Sequence, residues 1–415
     1  MLTSPLSGAR AAARAPLTGP EHVAALELPG AEAGRWRLAA ARIGTSLGPL
    51  AWPVAVYSAS RLLLLMVAAL AGILGGHAVA PEFFLFDGQW YLRLAEHGYP
   101  AQALRGRSTL GFLPLYPLAM RALALLPGVS LPRAALATAM LGGLAAAVLV
   151  QRLGTAWWGE RAGRWATVAF CMFPGSIVFS MGYSEGLTVP LAAGCLLALN
   201  SRRWWLAGLL AALATVVEPA AVVLMAVCVA AAGRQLRGRG WRDRQALRSL
   251  AAPLLAPLGL GGFAVFLWAW TGSPFAAIFA QHYGWHQQSQ PLALLGLPVA
   301  RHVLGHPPQL LAHVFTWNIW NGVVGGFFLA LSIAALIRAR RQLSAGALVL
   351  SAGIGLLTLW SVMTPPNMRM VLIAFPAVMV WGLRLSGRRL GFFLGGEVLM
   401  LVLTSLLTYS GHMLP

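Results

Sequence analysis

Residues 50–73 read LAWPVAVYSASRLLLLMVAALAGI, apolar throughout except for Arg61 and a few small polar residues. A run of this length matches the roughly 20 apolar residues that a helix needs to cross a bilayer's hydrocarbon core. Lipid offers the backbone no hydrogen bonds, so a spanning run must pair its own amides and is read as a helix. The single arginine suggests that the span begins near Arg61 and reaches towards Ala80, with the guanidinium at its inner end. Runs of the same kind follow near 131–151, 165–182, 185–200, 204–217, 219–233, 250–270, 313–337, 345–363, 371–384 and 391–409. Segment 111–127 is apolar but carries Pro114, Pro117 and Pro127, and is read as re-entrant or interfacial because proline breaks a spanning helix.

The composition agrees. With 58% hydrophobic and 10% charged residues in 415, one water-soluble domain would expose large apolar patches. The expected fold is therefore an all-α polytopic membrane protein with about eleven transmembrane helices. Residues 1–45 read as a mobile cytoplasmic tail and 46–415 as the membrane domain, with large external loops at 74–130 and 271–312. The formal charge of +19 does not point to nucleic acid: all the basic residues are arginines, clustered between apolar runs as in cytoplasmic loops. Cys171, Cys195 and Cys228 all lie in apolar runs, where a thiol behaves as a small hydrophobe, and their spacing implies neither disulfides nor zinc.

The clusters Arg35/Arg37/Arg42, Arg152/Arg161/Arg164, Arg202/Arg203, Arg234 to Arg248, Arg338/Arg340/Arg341 and Arg384/Arg388/Arg389 can share one side. The positive-inside rule then puts the N-terminus in the cytoplasm of a cell, inner or plasma, membrane. Asp87, Glu96, His97, Glu185, Glu218, His282, His286 and Arg369 gather at the outer face. Ionisable groups near membrane depth are costly and line cavities or substrate paths, so an outward-facing polar chamber is expected.

The stretch Phe86-Asp87-Gly88-Gln89-Trp90-Tyr91-Leu92-Arg93-Leu94-Ala95-Glu96-His97-Gly98-Tyr99-Pro100 follows the first span. Helical spacing puts Trp90, Leu94 and His97 on one side and Arg93 and Glu96 on another, the pattern of an interfacial amphipathic helix. Trp90, Tyr91 and Tyr99 suit the headgroup level. Asp87 at the helix start has two readings, an N-cap for the first-turn amides or a general base for an attacking hydroxyl.

Several motifs in this order resemble the PIG-V mannosyltransferases and their bacterial relatives, in the GT-C superfamily of membrane glycosyltransferases. The family's Trp-Asp-Gly-x-Trp-Tyr and Ala-x-x-Gly-Tyr are matched by Phe86 to Tyr91 and Ala95 to Tyr99, with Phe86 where tryptophan is usual. Its Phe-x-Pro-Leu-Tyr-Pro box is matched by Phe112 to Pro117. Its Phe-Pro-x-Ser and Tyr-Ser-Glu are matched by Phe173 to Ser176 and Tyr183 to Glu185. Its late basic residue and Phe-Pro are echoed by Arg369 and Phe375-Pro376. Glu218-Pro219 stands where relatives often have Arg-Pro, reversing a charge near the expected chamber.

The resemblance implies a GT-C type bundle with an external amphipathic helix and a re-entrant segment after the first span. It makes Asp87 the catalytic carboxylate of an inverting transferase, moving mannose from a polyprenyl-phosphate donor to a glycolipid or other extracytoplasmic acceptor. On that chemistry Arg369 is the first choice for the leaving phosphate, since guanidinium is permanently charged and bonds bidentately; an interfacial anchor is its other reading. Glu185 suits a sugar hydroxyl, the acceptor or a hydrogen-bonded helix end, and His97 a phosphate contact, support of Asp87 or a headgroup contact. Tyr116 and Tyr183 could meet sugar or phosphate with their hydroxyls, or pack in the core. Gln281, His282, Trp285 and His286 suit sugar or acceptor contacts. His282 and His286 have helical metal spacing but no third ligand, so no metal or other cofactor is expected, and the partners are the lipid-linked donor, the acceptor and membrane lipids. The rival readings are a secondary transporter, disfavoured because the charges crowd one face and no repeat is visible, and a noncatalytic binder of lipid-linked sugar.

Overall fold

In the computed structural model the described residues are 30–76, 78–101, 106–286, 317–360, 367–383 and 387–411, and every regular element among them is a helix. The chain divides into two compact units, Met1–Pro49 and Leu50–Pro415. Of the first, residues 30–49 are helical, and the rest of the expected tail lies outside the described residues. All that follows concerns the second.

Five described helices are long and apolar enough to cross a membrane: Leu50–Gly75, Leu131–Trp158, Pro219–Arg239, Arg244–Thr271 and Arg388–Tyr409. The paired segments Glu160–Met172 and Pro174–Ser180 make a sixth if counted together, and four shorter apolar helices are Glu185–Asn200, Trp204–Thr215, Val323–Ala339 and Ala345–Leu359. The chain is thus a multi-pass membrane protein built from full-length and shortened helices. Where the sequence suggests a straight span at 165–182, the helix stops at Met172 and turns by 73° into a 3-10 segment. Pro174 is the cause: it pushes Phe173 into an extended conformation, ψ 134°, and has no amide to continue the ladder. Pro376 likewise helps divide 371–384, which falls into the short buried helices Met368–Ile373, Phe375–Met379 and Val380–Leu383. Segment 111–127 contains the helix Leu115–Ala124, with Pro114 just ahead and Pro117 in the first turn, where a missing amide leaves no carbonyl unpaired.

Arg61 is not at the end of its span. It lies near the middle of Leu50–Gly75, buried, with its Nε donating to Ser60 Oγ at 3.3 Å on its own helix and both terminal nitrogens donating to the turn after Pro174. Its Nη1 donates to Ser176 O at 2.6 Å and Ser180 Oγ at 3.0 Å, and its Nη2 donates to Ser176 Oγ at 3.0 Å. The Tyr57 ring lies 5.0 Å from the charge. The main apolar core runs from Tyr57 through Phe170, Phe173 and Phe179 to Phe375, and contains this turn. Helices Leu131–Trp158 and Glu185–Asn200 meet where a Cβ on Gly142 would stand 1.7 Å from Gly186 O, so only glycine allows the approach.

Candidate active site

The helix Asp87–His97 opens with Phe86 at φ 54°, a left-handed conformation costly for a residue with a Cβ. That bend points the chain so that Asp87 is the first helical residue rather than the cap, and its carboxylate makes no capping bond. The buried stripe is Gly88, Tyr91, Leu94 and Ala95, so Tyr91 faces inward instead of standing at headgroup level. Gly88 permits this seating, because a Cβ there would press to 3.3 Å from Gly182 O. The turn 181–184 grips the same loop: Gly182 N–H donates to Phe83 O at 2.9 Å, and the Tyr183 hydroxyl donates to Leu85 O at 2.9 Å.

Three other segments converge here. Arg369 comes from the helix Met368–Ile373, capped by Asn367, whose Oδ1 accepts from Met370 N–H at 2.9 Å. Its Nη1 donates to Asp87 Oδ2 at 2.5 Å, and its Nε lies 3.6 Å from Glu185 Oε1. The Tyr183 ring lies 5.4 Å from the guanidinium carbon. Glu185, first residue of Glu185–Asn200, has a side chain only 1% exposed, against 28% for Asp87 and 16% for Arg369, so the pair opens outward and Glu185 forms the floor. Apart from that ion pair, neither Glu185 oxygen has a hydrogen-bond partner among the described residues. Beside it Ser184 Oγ donates to Glu218 Oε2 at 2.7 Å. Glu218 lies in the turn between Trp204–Thr215 and the Pro219 span, where burial, with Glu185 adding to it and Arg369 opposing it, pushes its carboxyl up to about 7. The buried Tyr91 phenol sits beside Ser184, within electrostatic reach of Glu218, Asp87 and Glu185.

The site therefore gathers three carboxyls at the mouth of a buried turn, two of them, Asp87 and Glu185, against the Arg369 guanidinium and the third, Glu218, on Ser184. Asp87, Arg369, Glu185 and Tyr183 are brought together. His97 is not: it ends the same helix, about 15 Å along its axis, with a side chain 75% exposed and Nδ1 3.3 Å from Arg93 O. Tyr116 is buried in a neighbouring aromatic cluster with Tyr91 and Phe112, its hydroxyl donating to Ala135 O at 3.0 Å. Gln281 donates to Gly111 O at 2.8 Å, and Trp285 donates to Ser108 O at 3.2 Å while its ring meets Trp90 edge-on. Both pin the second loop to the first. His282 and His286 are exposed, and the loop from 287 to 312 lies outside the described residues. Among the described residues no three His, Cys, Asp or Glu side chains converge to hold a metal ion.

Two features of the site are faint in the sequence. Glu218 shows only as a charge reversal, and Tyr91 only through its place four residues after Asp87, which puts both on one helix face. The support of Arg369 is hidden further. Met368 O packs against Gly175, where a Cβ would stand at 2.3 Å, and Gly175 precedes the Ser176 that Arg61 holds.

Residues 77–270 match the family model for mannosyltransferase (PIG-V). That segment contains Asp87, Tyr91, Tyr183, Glu185 and Glu218 and ends before Arg369. The GPI alpha-1,6-mannosyltransferase 2 of Cricetulus griseus is 32% identical over 154 residues, which are 35% of this chain and 29% of that protein. Among solved structures, ArnT from Cupriavidus metallidurans in the apo state aligns with a TM-score of 0.48 at 16% identity, over 82% of this chain and 62% of that one. The Archaeoglobus fulgidus oligosaccharyltransferase in its apo form aligns with a TM-score of 0.46 at 15% identity, over 87% and 56%. The alignments thus take in less than a third of the curated relative and about three fifths of these structures.

Proposed function

We propose, from the match of residues 77–270 to the PIG-V mannosyltransferase family model, that the chain is an inverting membrane glycosyltransferase of the GT-C type. In this reading the shortened helices complete a bundle of about eleven crossings, and the site opens on the extracytoplasmic face. The donor is a mannose linked to a polyprenyl phosphate, delivered from the lipid. The acceptor is a hydroxyl of a glycolipid or another extracytoplasmic molecule.

The observation that carries the proposal is the Asp87–Arg369 pair, which joins segments far apart in sequence at a half-shielded mouth above Glu185. Asp87 takes the proton from the acceptor hydroxyl, the freed oxygen attacks the anomeric carbon, and the bond from that carbon to the phosphate oxygen breaks. The phosphate leaves with the bonding electrons, and the attack from the opposite side inverts the centre. Arg369 has two tasks. At rest it holds the Asp87 carboxylate in one orientation, and during transfer its charge offsets the negative charge growing on the leaving phosphate. Glu185 and Tyr183 fix the guanidinium from behind, so little reorganisation is left for the reaction itself.

The test is transfer from radiolabelled polyprenyl-phosphate mannose in membranes that hold either the wild type or Asp87→Asn. The asparagine keeps the size of the side chain but cannot take a proton, so the rate is expected to fall at least about 100-fold with the protein still folded. Undiminished turnover would remove Asp87 from the chemistry.

A further inference from the structure

The opposite end of the bundle has a polar cavity of its own. Helix Glu185–Asn200 begins at the carboxylate site and ends about 22 Å further along its axis, at a rise of about 1.5 Å per residue. There a cavity of about 380 Å³ opens between the ends of four helices, Glu185–Asn200, Trp204–Thr215, Val223–Arg239 and Ala345–Trp360. Its polar lining is Asn200, Arg202, Arg234, Gln235 and Ser344, and no acidic residue takes part. The guanidinium groups of Arg202 and Arg234 have no hydrogen bond or ion pair among the described residues, in contrast to those of Arg61 and Arg369. Arg202 also holds φ 54°, a conformation that favours glycine, so the backbone tolerates strain where a charged side chain meets the cavity. Ser344 Oγ accepts from Ala347 N–H at 3.2 Å and starts the helix from Ala345, whose positive end therefore lies at the wall.

The remaining walls are apolar, with Leu196, Leu199 and Leu343 behind the polar rim. Trp205 and Trp241, at the same end, are largely exposed. Exposed tryptophans at the ends of apolar helices mark the headgroup level of a bilayer. Two open cations, neutral donors and a greasy wall at that depth suit a group with a phosphate at one end and acyl chains at the other. We propose that this cavity binds the phosphate of an anionic membrane lipid, with Arg202 and Arg234 as its direct ligands. The proposal is independent of the sugar transfer.

The experiment uses the full chain, purified in detergent, stripped of lipid and titrated with phosphatidylglycerol, phosphatidylcholine, glycerol 3-phosphate or inorganic phosphate. Binding is followed by native mass spectrometry and by the thermal unfolding midpoint. The variant is Arg202→Gly with Arg234→Gln, in which glycine relieves the strained backbone while both charges leave; the control removes two nearby charges outside the cavity, Arg203→Gln with Arg237→Gln. Phosphatidylglycerol is expected to bind the wild type, about 10- to 30-fold more weakly the cavity variant, and within about 2-fold of wild type the control. Equal binding by the cavity variant would overturn the proposal, and so would equal loss in the control, which would mean a diffuse basic surface. Binding of either small phosphate as tight as the lipid would overturn the lipid assignment. Should the double variant not fold, Arg234→Gln alone, expected to lose about 3-fold, decides the matter in the same assay.

Discussion

Arg61 and Arg369 are both arginines inside an apolar bundle, and both serve the segment between Phe173 and Glu185, yet they are satisfied in opposite ways. Arg61 sees only neutral partners: the carbonyl and hydroxyl of Ser176, the hydroxyl of Ser180, and the faces of Tyr57 and Phe179. Arg369 sees two carboxylates, one of them at the open mouth. A charge surrounded by neutral dipoles has nothing to exchange with an incoming anion, and it acts as a clamp on the turn. A charge shared between anions can pass part of its coordination to a phosphate at small cost, because one anion replaces another. On the proposed mechanism the difference separates a residue that builds the site from one that works in it.

The largest expected effect tests the clamp. Arg61→Leu leaves several buried acceptors unpaired and should cost about 3 to 5 kcal/mol of stability. The readout is the yield of monodisperse protein in detergent and its unfolding midpoint, with Arg61→Lys recovering part of the loss. A wild-type midpoint for the leucine variant would show that the turn holds itself.

Arg369→Gln should do the reverse, keeping the fold and lowering transfer per folded molecule by about 100- to 1,000-fold, the usual cost of losing one transition-state donor. Arg369→Lys, which keeps charge but not the two-edged geometry, should restore about a tenth of the activity. If the glutamine variant instead unfolds like Arg61→Leu while its surviving fraction turns over normally, the two arginines are both clamps and the contrast fails.

These expectations also mark how much the sequence discloses. Apolar runs of about 20 residues mark the chain as a multi-pass membrane protein, and Asp87-Gly88 beside an aromatic pair marks the candidate catalytic loop. Arg369 and Glu185 are legible as charges out of place, since each sits at the end of an apolar run. Their mutual geometry is not, because nothing local in the sequence says that residue 369 returns to residue 87. Arg61 is misleading for the opposite reason. A charge in a span reads as the span's end, and only the polar turn created by Pro174 lets it stay near the middle. The inward face of Asp87–His97 is missed because a fully buried tyrosine and an interfacial one have the same amphipathic letter.

Glu218 offers a smaller and sharper test. Its carboxyl, with Glu185, Asp87 and Arg369 facing it and Ser184 and Tyr91 alongside, is held neutral below about 7, above the ordinary carboxylate range. The sign follows from that: the unfolded chain releases this proton in the ordinary carboxylate range and the folded site only near 7, so the group withdraws stability as pH rises between the two, and above about 7 the folded site carries the added negative charge. An anionic donor should bind less well above pH 7, giving a fall of about 2- to 5-fold in kcat/KM between pH 6.5 and 8. Glu218→Gln, fixed in the neutral state, should flatten that limb and raise the unfolding midpoint at pH 8 relative to the wild type. A limb unchanged in the glutamine variant assigns the titration to another group.

The smallest effect is expected at His97, and it tests the border of the working region. The side chain is solvent-exposed, about 15 Å of helix from Asp87, and its nearest polar neighbours are the Arg93 carbonyl and Glu96. Nothing between it and the Asp87–Arg369 pair would relay a charge: the intervening inward positions, Tyr91 and Leu94, are buried in aromatic and aliphatic packing. His97→Ala should therefore change transfer by less than about 2-fold and leave the pH profile alone, as surface substitutions generally do. A loss of 10-fold or more would mean that the substrate extends along the whole length of the Asp87–His97 helix. The border of the site would then move outward, from the arginine pair to the exposed end of that helix.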